Sequence, residues 1–291
     1  MHVSGFTFVK NAVKLHYPVR EAILSVLPLC DDFYVAVGDC NDGTREMIQS
    51  IDPQKIKIID TVWNKDLFVN GAVYADETNK AYAAIPDKAD WCFYIQGDEV
   101  VHEKYIDTVR EAMIKYKDDQ RVDGLLFRYL HFFGSYDFIG VDSAWYRYEI
   151  RVIRKRKGIY SYRDAQGFRK DDNQKLRVIP IEAYIYHYGW VRQPEAMQMK
   201  SLHMDAYYTN KDVEQAEKVY SGPFDYKKIA ALKKFEGTHP KVMQELIAAK
   251  NWKFEKDPSV NRFTMKDIFK DTVEKLTGYR PFEYKNYKII N

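Results

Sequence analysis

The sequence predicts an α/β fold built on a mostly parallel, mixed central sheet flanked by helices. Two features carry that expectation. Apolar strand-like runs alternate with helical stretches through residues 3–117, and short acidic turns follow two of those runs directly. With 291 residues the chain exceeds the usual single-domain size, so one large domain with a smaller appendage is expected.

The first strand is read at residues 3–9, followed by a helix opened by Pro18, where a missing N–H costs nothing. A strand at 33–37 and a helix from Thr44 repeat the unit, and a strand at 55–60 with a helix over 72–84 repeat it again. Trp91-Cys92-Phe93-Tyr94-Ile95 is apolar throughout, the pattern of a strand covered on both faces, and a charged helix follows at 102–117. From Gly124 the strand-like pieces 125–133, 149–154 and 183–188 have no long helices between them, so the sheet is expected to become mixed there. After Pro194 the pattern is helical, with amphipathic stretches at 195–207, 242–250 and 265–276 punctuated by Pro223, Pro240, Pro258 and Pro281. The expected organisation is a main α/β domain over 1–193 with a helical region, 194–291, packed on it.

Composition narrows the function. Lys+Arg 45 against Asp+Glu 42 leaves a formal charge of +3, without the concentrated basic character of a nucleic-acid partner. The three cysteines, Cys30, Cys40 and Cys92, form no CxxC pair, which fits a reducing compartment and gives no zinc site. The chain opens on a strand pattern rather than a signal peptide, and no apolar stretch approaches the ~20 residues of a bilayer span. A cytoplasmic location follows, with any membrane association peripheral. Aromatic residues reach 15%, a composition that suits sugar and base stacking as well as cores.

Three constellations carry chemistry. Gly38-Asp39-Cys40-Asn41-Asp42-Gly43-Thr44 lies between a strand and a helix, at the carboxyl end where open α/β sheets bind ligands. Asp39 there can accept hydrogen bonds from a nucleobase or ribose, and Asp42 belongs to the same turn; the alternative is plain turn and cap chemistry. Gln96-Gly97-Asp98-Glu99 ends the apolar strand, and its carboxylates can hold Mg²⁺ or Mn²⁺ against a diphosphate, or else favour the dipole of the helix that follows. Tyr186-His187-Tyr188-Gly189-Trp190 offers an imidazole as a further metal ligand, or a packed core histidine.

In this order the motifs resemble the family-2 glycosyltransferases of the GT-A fold. Asn11 after the first strand looks like the family's nucleotide-contacting position, and Asp39-Cys40-Asn41-Asp42-Gly43-Thr44 looks like its Asp-x-Ser-x-Asp-Gly-Thr segment. Gly71, Asn79 and Ala81 sit where the family has a Gly-then-Asn helix under the donor. Gln96-Gly97-Asp98 falls at the Asp-x-Asp metal motif, with Gln96 replacing its first Asp, so Asp98, Glu99 and His187 remain for the metal. Arg151-Val152-Ile153-Arg154 followed by His187-Tyr188-Gly189 is similar to a bacterial subgroup, whose usual His-Glu pair is replaced here by residues 163–169.

The resemblance implies an inverting transfer from a nucleotide-diphosphate-sugar donor to a saccharide or lipid-linked acceptor, in bacterial surface polysaccharide or lipopolysaccharide assembly. A divalent metal, with Arg169 or Lys200, would neutralise the leaving diphosphate. Asp164 is the first candidate for the base and Glu149 the reserve; either can instead pair with Arg151, Arg154 or Arg163. Two rivals stay open: a nucleotidyltransferase, although the first loop has no glycine, and an inactive sugar- or nucleotide-binding protein of the same fold.

Overall fold

A computed structural model describes residues 1–228, 231–257, 261, 263–277 and 280–290, so Pro258 lies outside the described residues. Strands β1 (Val3–Val9), β2 (Asp32–Gly38), β3 (Ile56–Thr61) and β4 (Trp91–Tyr94) stand side by side in the order β3-β2-β1-β4, every pair parallel. Between them run α1 (Val19–Val26), α2 (Thr44–Ile51) and α3 (Ala72–Ala84). This is the predicted βα succession.

The apolar runs are explained by what each face touches. Val35, Val37, Trp91 and Phe93 enter a core shared with α1 and α2, while Ala36, Cys92 and Tyr94 enter a second core shared with α3. Alternate residues of a strand point to opposite faces, so a sheet covered on both sides needs apolar residues at every position. Gly5 in β1 is required by this packing: a Cβ there would lie 2.1 Å from the Phe33 ring.

Beyond β4 the sheet turns mixed. The short β5 (Glu99–Val101) precedes α4 (Ile106–Lys115), and then come β6 (Gly124–Phe133), β7 (Phe138–Gly140), β8 (Tyr148–Arg154), β9 (Ile159–Tyr162), β10 (Gly167–Lys170) and β11 (Gln174–Trp190). β8 inserts antiparallel between β4 and β6, and β6 is parallel to β11. β5 pairs antiparallel with β11, placing Glu99 opposite His187. That pairing brings the turn after β4 to the end of β11.

The final region holds α5 (Pro194–Thr209), α6 (Val213–Lys218), β12 (Leu232–Lys234), α7 (Gln244–Ala248), α8 (Met265–Thr277) and β13 (Tyr287–Ile289). Besides the helices expected there, β12 pairs with β7 and β13 runs parallel to β11. Among the described residues no helix is long and apolar enough to cross a membrane.

Candidate active site

Parallel strands end their carboxyl termini on one edge, so the turns after β1, β2 and β4 open into a common crevice. A cleft of about 270 Å³ lies there, lined among others by Lys10, Gln96, Asp98, Asp164, His187 and Lys200. A neighbouring cavity of about 760 Å³ is lined by Asn11, Asp39, Lys14 and residues of α6, and it shares Lys10, Trp63, His203 and Tyr207 with the first. The cleft therefore has an end at β1 and β2 and an end at β4 and β11. Helix α5 supplies a wall through Lys200, Tyr207 and Tyr208.

Asp98 is the centre of the second end. Its backbone carbonyl accepts from the Tyr188 amide at 2.8 Å, so β11 fixes its position. Its Oδ2 accepts from Lys200 Nζ at 3.0 Å and lies 3.9 Å from the Arg192 guanidinium, while Oδ1 is 3.6 Å from His187 Nε2. Burial alone would raise the Asp98 carboxyl, but the charge of Lys200, with Arg192 behind it, holds it well below the usual carboxylate range. Burial, reinforced by the like charge of Arg192, brings Lys200 down to about 8. Gly189 is needed here, since a Cβ would sit 2.5 Å from His187 Nε2 and 3.1 Å from Asp98 Oδ2.

Arg192 was not visible as a site residue in the sequence. It is 1% exposed, stacks on Tyr17 at 4.3 Å, and donates to the carbonyls of Leu15 and Gly189, with Nη2 left unpartnered on the side of Asp98. Two buried cations thus stand behind one carboxylate, a positive field suited to an anionic ligand.

Asp98 Oδ1 and His187 Nε2 have the spacing of two ligands that share one ion at about 2.1 Å each. Lys200 occupies only Oδ2, leaving Oδ1 free. Among the described residues no group of three or more His, Cys, Asp and Glu is arranged to hold a metal ion. The pair fits a Mg²⁺- or Mn²⁺-type site in which diphosphate and water complete the shell, since such ions commonly take one or two protein ligands.

Glu99 does not join them. The Glu99 carboxylate points inward, where Arg151 donates to both of its oxygens at 2.7 Å and Tyr129 adds a third bond at 2.8 Å. Three other candidates line neither cavity. Asn79 bridges to the Ser161 backbone, accepting from its amide at 2.7 Å, and so ties α3 to β9. Arg169 stacks on Tyr162 and donates to the Asn286 carbonyl at 2.8 Å. Asp42 accepts from the Lys14 and Thr44 amides, which is turn and cap chemistry.

The remaining candidates other than Glu149 divide between the two ends. Asp39 is half-exposed in the neighbouring cavity, paired with Lys10 Nζ at 2.6 Å, and Asn11 lies beside it in the left-handed region at φ 53°. Gln96 lines the cleft and donates to Ala165 O and Tyr94 OH. Asp164 lines the cleft and accepts from Tyr208 OH at 2.6 Å. Glu149, the reserve base, is buried outside that lining with Oε2 unpartnered; burial, with Arg151 opposing and Glu99 adding, pushes it up to about 8, so it holds a proton at neutral pH.

No family model matches the chain, and no curated protein does. Solved structures that resemble it include S. aureus TarS 1-349 in complex with UDP, at 16% identity and a TM-score of 0.41, covering 75% of this chain and 68% of that one. The same protein in complex with UDP-GlcNAc gives 16% and 0.41, covering 75% and 69%. A glucosyl-3-phosphoglycerate synthase from Mycobacterium tuberculosis, in complex with Mn²⁺, UDP and phosphoglyceric acid, gives 13% and 0.29, covering 45% and 43%. Against a longer TarS chain the match spans 39% of that protein's length. Likenesses this distant assign neither family nor activity.

Proposed function

We propose that the chain is a glycosyltransferase that moves a sugar from a nucleoside-diphosphate-sugar donor to an acceptor hydroxyl. The observation that supports this most is the meeting of Asp98, His187, Lys200 and Arg192 at one end of a cleft whose other end carries Asp39 and Asn11. Such a cleft suits a ligand with a polar nucleoside at one end and a doubly anionic centre at the other.

Asp39 and Asn11 would take the nucleoside, beside the aromatic wall of Trp63 and Tyr207. Lys200 and Arg192 place positive charge where the diphosphate leaves, already oriented by Asp98 and the Gly189 carbonyl, so little reorganisation is needed. A divalent ion held by Asp98 and His187 would add charge neutralisation at the same point. Asp164 faces the cleft and takes the proton of the attacking hydroxyl, an arrangement suited to single-step inversion. A saccharide or lipid-linked acceptor in bacterial surface polysaccharide assembly is the setting implied by the sequence resemblance.

The test is a panel of nucleotide sugars scored by thermal unfolding with and without Mn²⁺. A true donor at a hundredfold excess over its Kd should stabilise the protein by about 2.7 kcal/mol. Release of nucleoside diphosphate, dependent on an added acceptor sugar, should follow for the stabilising donor. A panel in which no uridine, guanosine, cytidine or thymidine diphosphate sugar moves the midpoint would remove the proposal.

A further inference from the structure

We propose that His131 is a positioning residue that fixes the proton of His187 on Nδ1 and thereby presents a bare Nε2 to Asp98. The proposal rests on the reading of Asp98 and His187 as the metal-holding pair, and it concerns a side chain that no motif in the sequence pointed to.

His131 and His187 are register partners across the parallel β6–β11 ladder, so both side chains leave the sheet on one face. His131 Nε2 lies 2.6 Å from the backbone carbonyl of Tyr146, and His131 Nδ1 lies 2.9 Å from His187 Nδ1. A carbonyl oxygen carries no hydrogen, so His131 Nε2–H must donate to it. A neutral imidazole has one N–H, which leaves His131 Nδ1 as an acceptor. The short Nδ1–Nδ1 contact then needs a proton from His187, and in the neutral His187 ring Nε2 is left with its lone pair.

The chain of commitments therefore runs from Tyr146 O through His131 to His187, and ends 3.6 Å from Asp98 Oδ1. That gap is too long for a hydrogen bond, and both facing atoms are electron-pair donors. Such a contact is unfavourable in isolation and is relieved by a cation between the two atoms, the arrangement in which a ligating histidine donates its other N–H to a partner behind it. His131 is held for this role by stacking on Trp145 with centroids 5.0 Å apart and on Tyr129 at 5.4 Å. Its 3% exposure leaves little room for the ring to turn.

The experiment is long-range ¹H–¹⁵N correlation on metal-free, ¹⁵N-histidine-labelled protein, joined to calorimetry of Mn²⁺ with UDP present. The His187 ring should appear as the Nδ1–H tautomer in the parent. His131→Phe, which keeps a flat ring and removes the acceptor, should give a tautomer mixture and weaken Mn²⁺ ~10–100-fold, the usual cost of losing such a partner. UDP affinity without metal should not change. His131→Asn, whose amide oxygen replaces Nδ1, should recover the tautomer and most of the Mn²⁺ affinity; if His131→Phe does not fold, the parent spectrum and His131→Asn decide. A His187 ring that carries its proton on Nε2, or on both nitrogens at neutral pH, overturns the proposal, as does unchanged Mn²⁺ affinity in His131→Phe. A parent protein that binds no Mn²⁺ with UDP removes the metal reading instead, while the spectrum still decides the role of His131.

Discussion

Replacing Glu99 with Gln separates a structural carboxylate from a metal ligand. Glu99 and Arg151 are 0% and 1% exposed, and two N–H···O bonds of 2.7 Å join them. Tyr129 OH and the Gln96 backbone N–H complete the carboxylate's acceptor sites at 2.8 and 3.1 Å. An amide keeps one acceptor oxygen and turns its NH₂ toward the guanidinium or the phenol, leaving a buried cation without a counter-charge. Breaking a pair of this kind costs about 3–5 kcal/mol. At about 2.1 cal/mol/K per residue a chain of 291 residues shifts its midpoint by about 1.6 °C per kcal/mol, so a fall of about 5–8 °C is expected in thermal unfolding followed by both far- and near-ultraviolet dichroism. The double variant Glu99→Leu with Arg151→Met should regain most of that loss, since removing both charges removes their desolvation cost. Mn²⁺ affinity measured with UDP at a temperature where the single variant is folded should stay near the parent value. A Glu99→Gln protein within about 0.5 kcal/mol of the parent, but with Mn²⁺ binding lost, would show that the carboxylate serves the ion rather than Arg151.

Asp164→Asn should leave donor affinity intact and lower turnover by ~10²–10⁴-fold, and near-normal turnover would take the base role away from Asp164. Glu149→Gln tests the buried proton. Its carboxyl is pushed from 4.5 up to about 8, so the native state binds the proton more tightly than the unfolded chain, and the resulting stability is present in acid and lost as pH rises through about 8. The parent should therefore lose about 1.4 kcal/mol per pH unit relative to Glu149→Gln between those two values, measured by urea unfolding at a series of pH values. Parallel profiles for the two proteins would refute the assignment.

How much of this was legible in the sequence depends on how local the cause is. The strands β1, β2, β3 and β4 lie within a residue or so of their predicted places; β2 and β4, buried on both faces, announce themselves by an unbroken apolar run, whereas β3 is a part-exposed edge strand carrying Lys57 and Asp60. β11 was read only in its last third. Its first half carries Lys175, Arg177 and Glu182 with Pro180 between them, and the register with β6 shifts between Pro180 and Tyr184, so neither alternation nor an apolar run marks it. β13 is invisible for a related reason: three residues, two of them exposed, are held by pairing with Leu176–Val178 rather than by their own pattern.

The same division runs through the site. Asp39 and Asp98 could be placed from sequence because the carboxyl end of a parallel strand is a local address. Glu99 follows Asp98 across the turn at Gly97 and Asp98, and its inward direction is set by Arg151 from β8, so no local rule excludes it as a ligand. Nor does a local rule reach His131 or Arg192. His131 is 56 residues from the ring it contacts, and what joins them is the β6–β11 register, which the unread half of β11 controls. Arg192 lies between a strand end and the proline that opens α5, where a lone arginine reads as a solvated charge, yet it is buried against Tyr17 and the Gly189 carbonyl. The ionisation of Asp98 depends on both kinds of information. A carboxylate at a strand end becomes a stable anion here only because β11 turns into α5 at a point that sets Lys200 and Arg192 behind it.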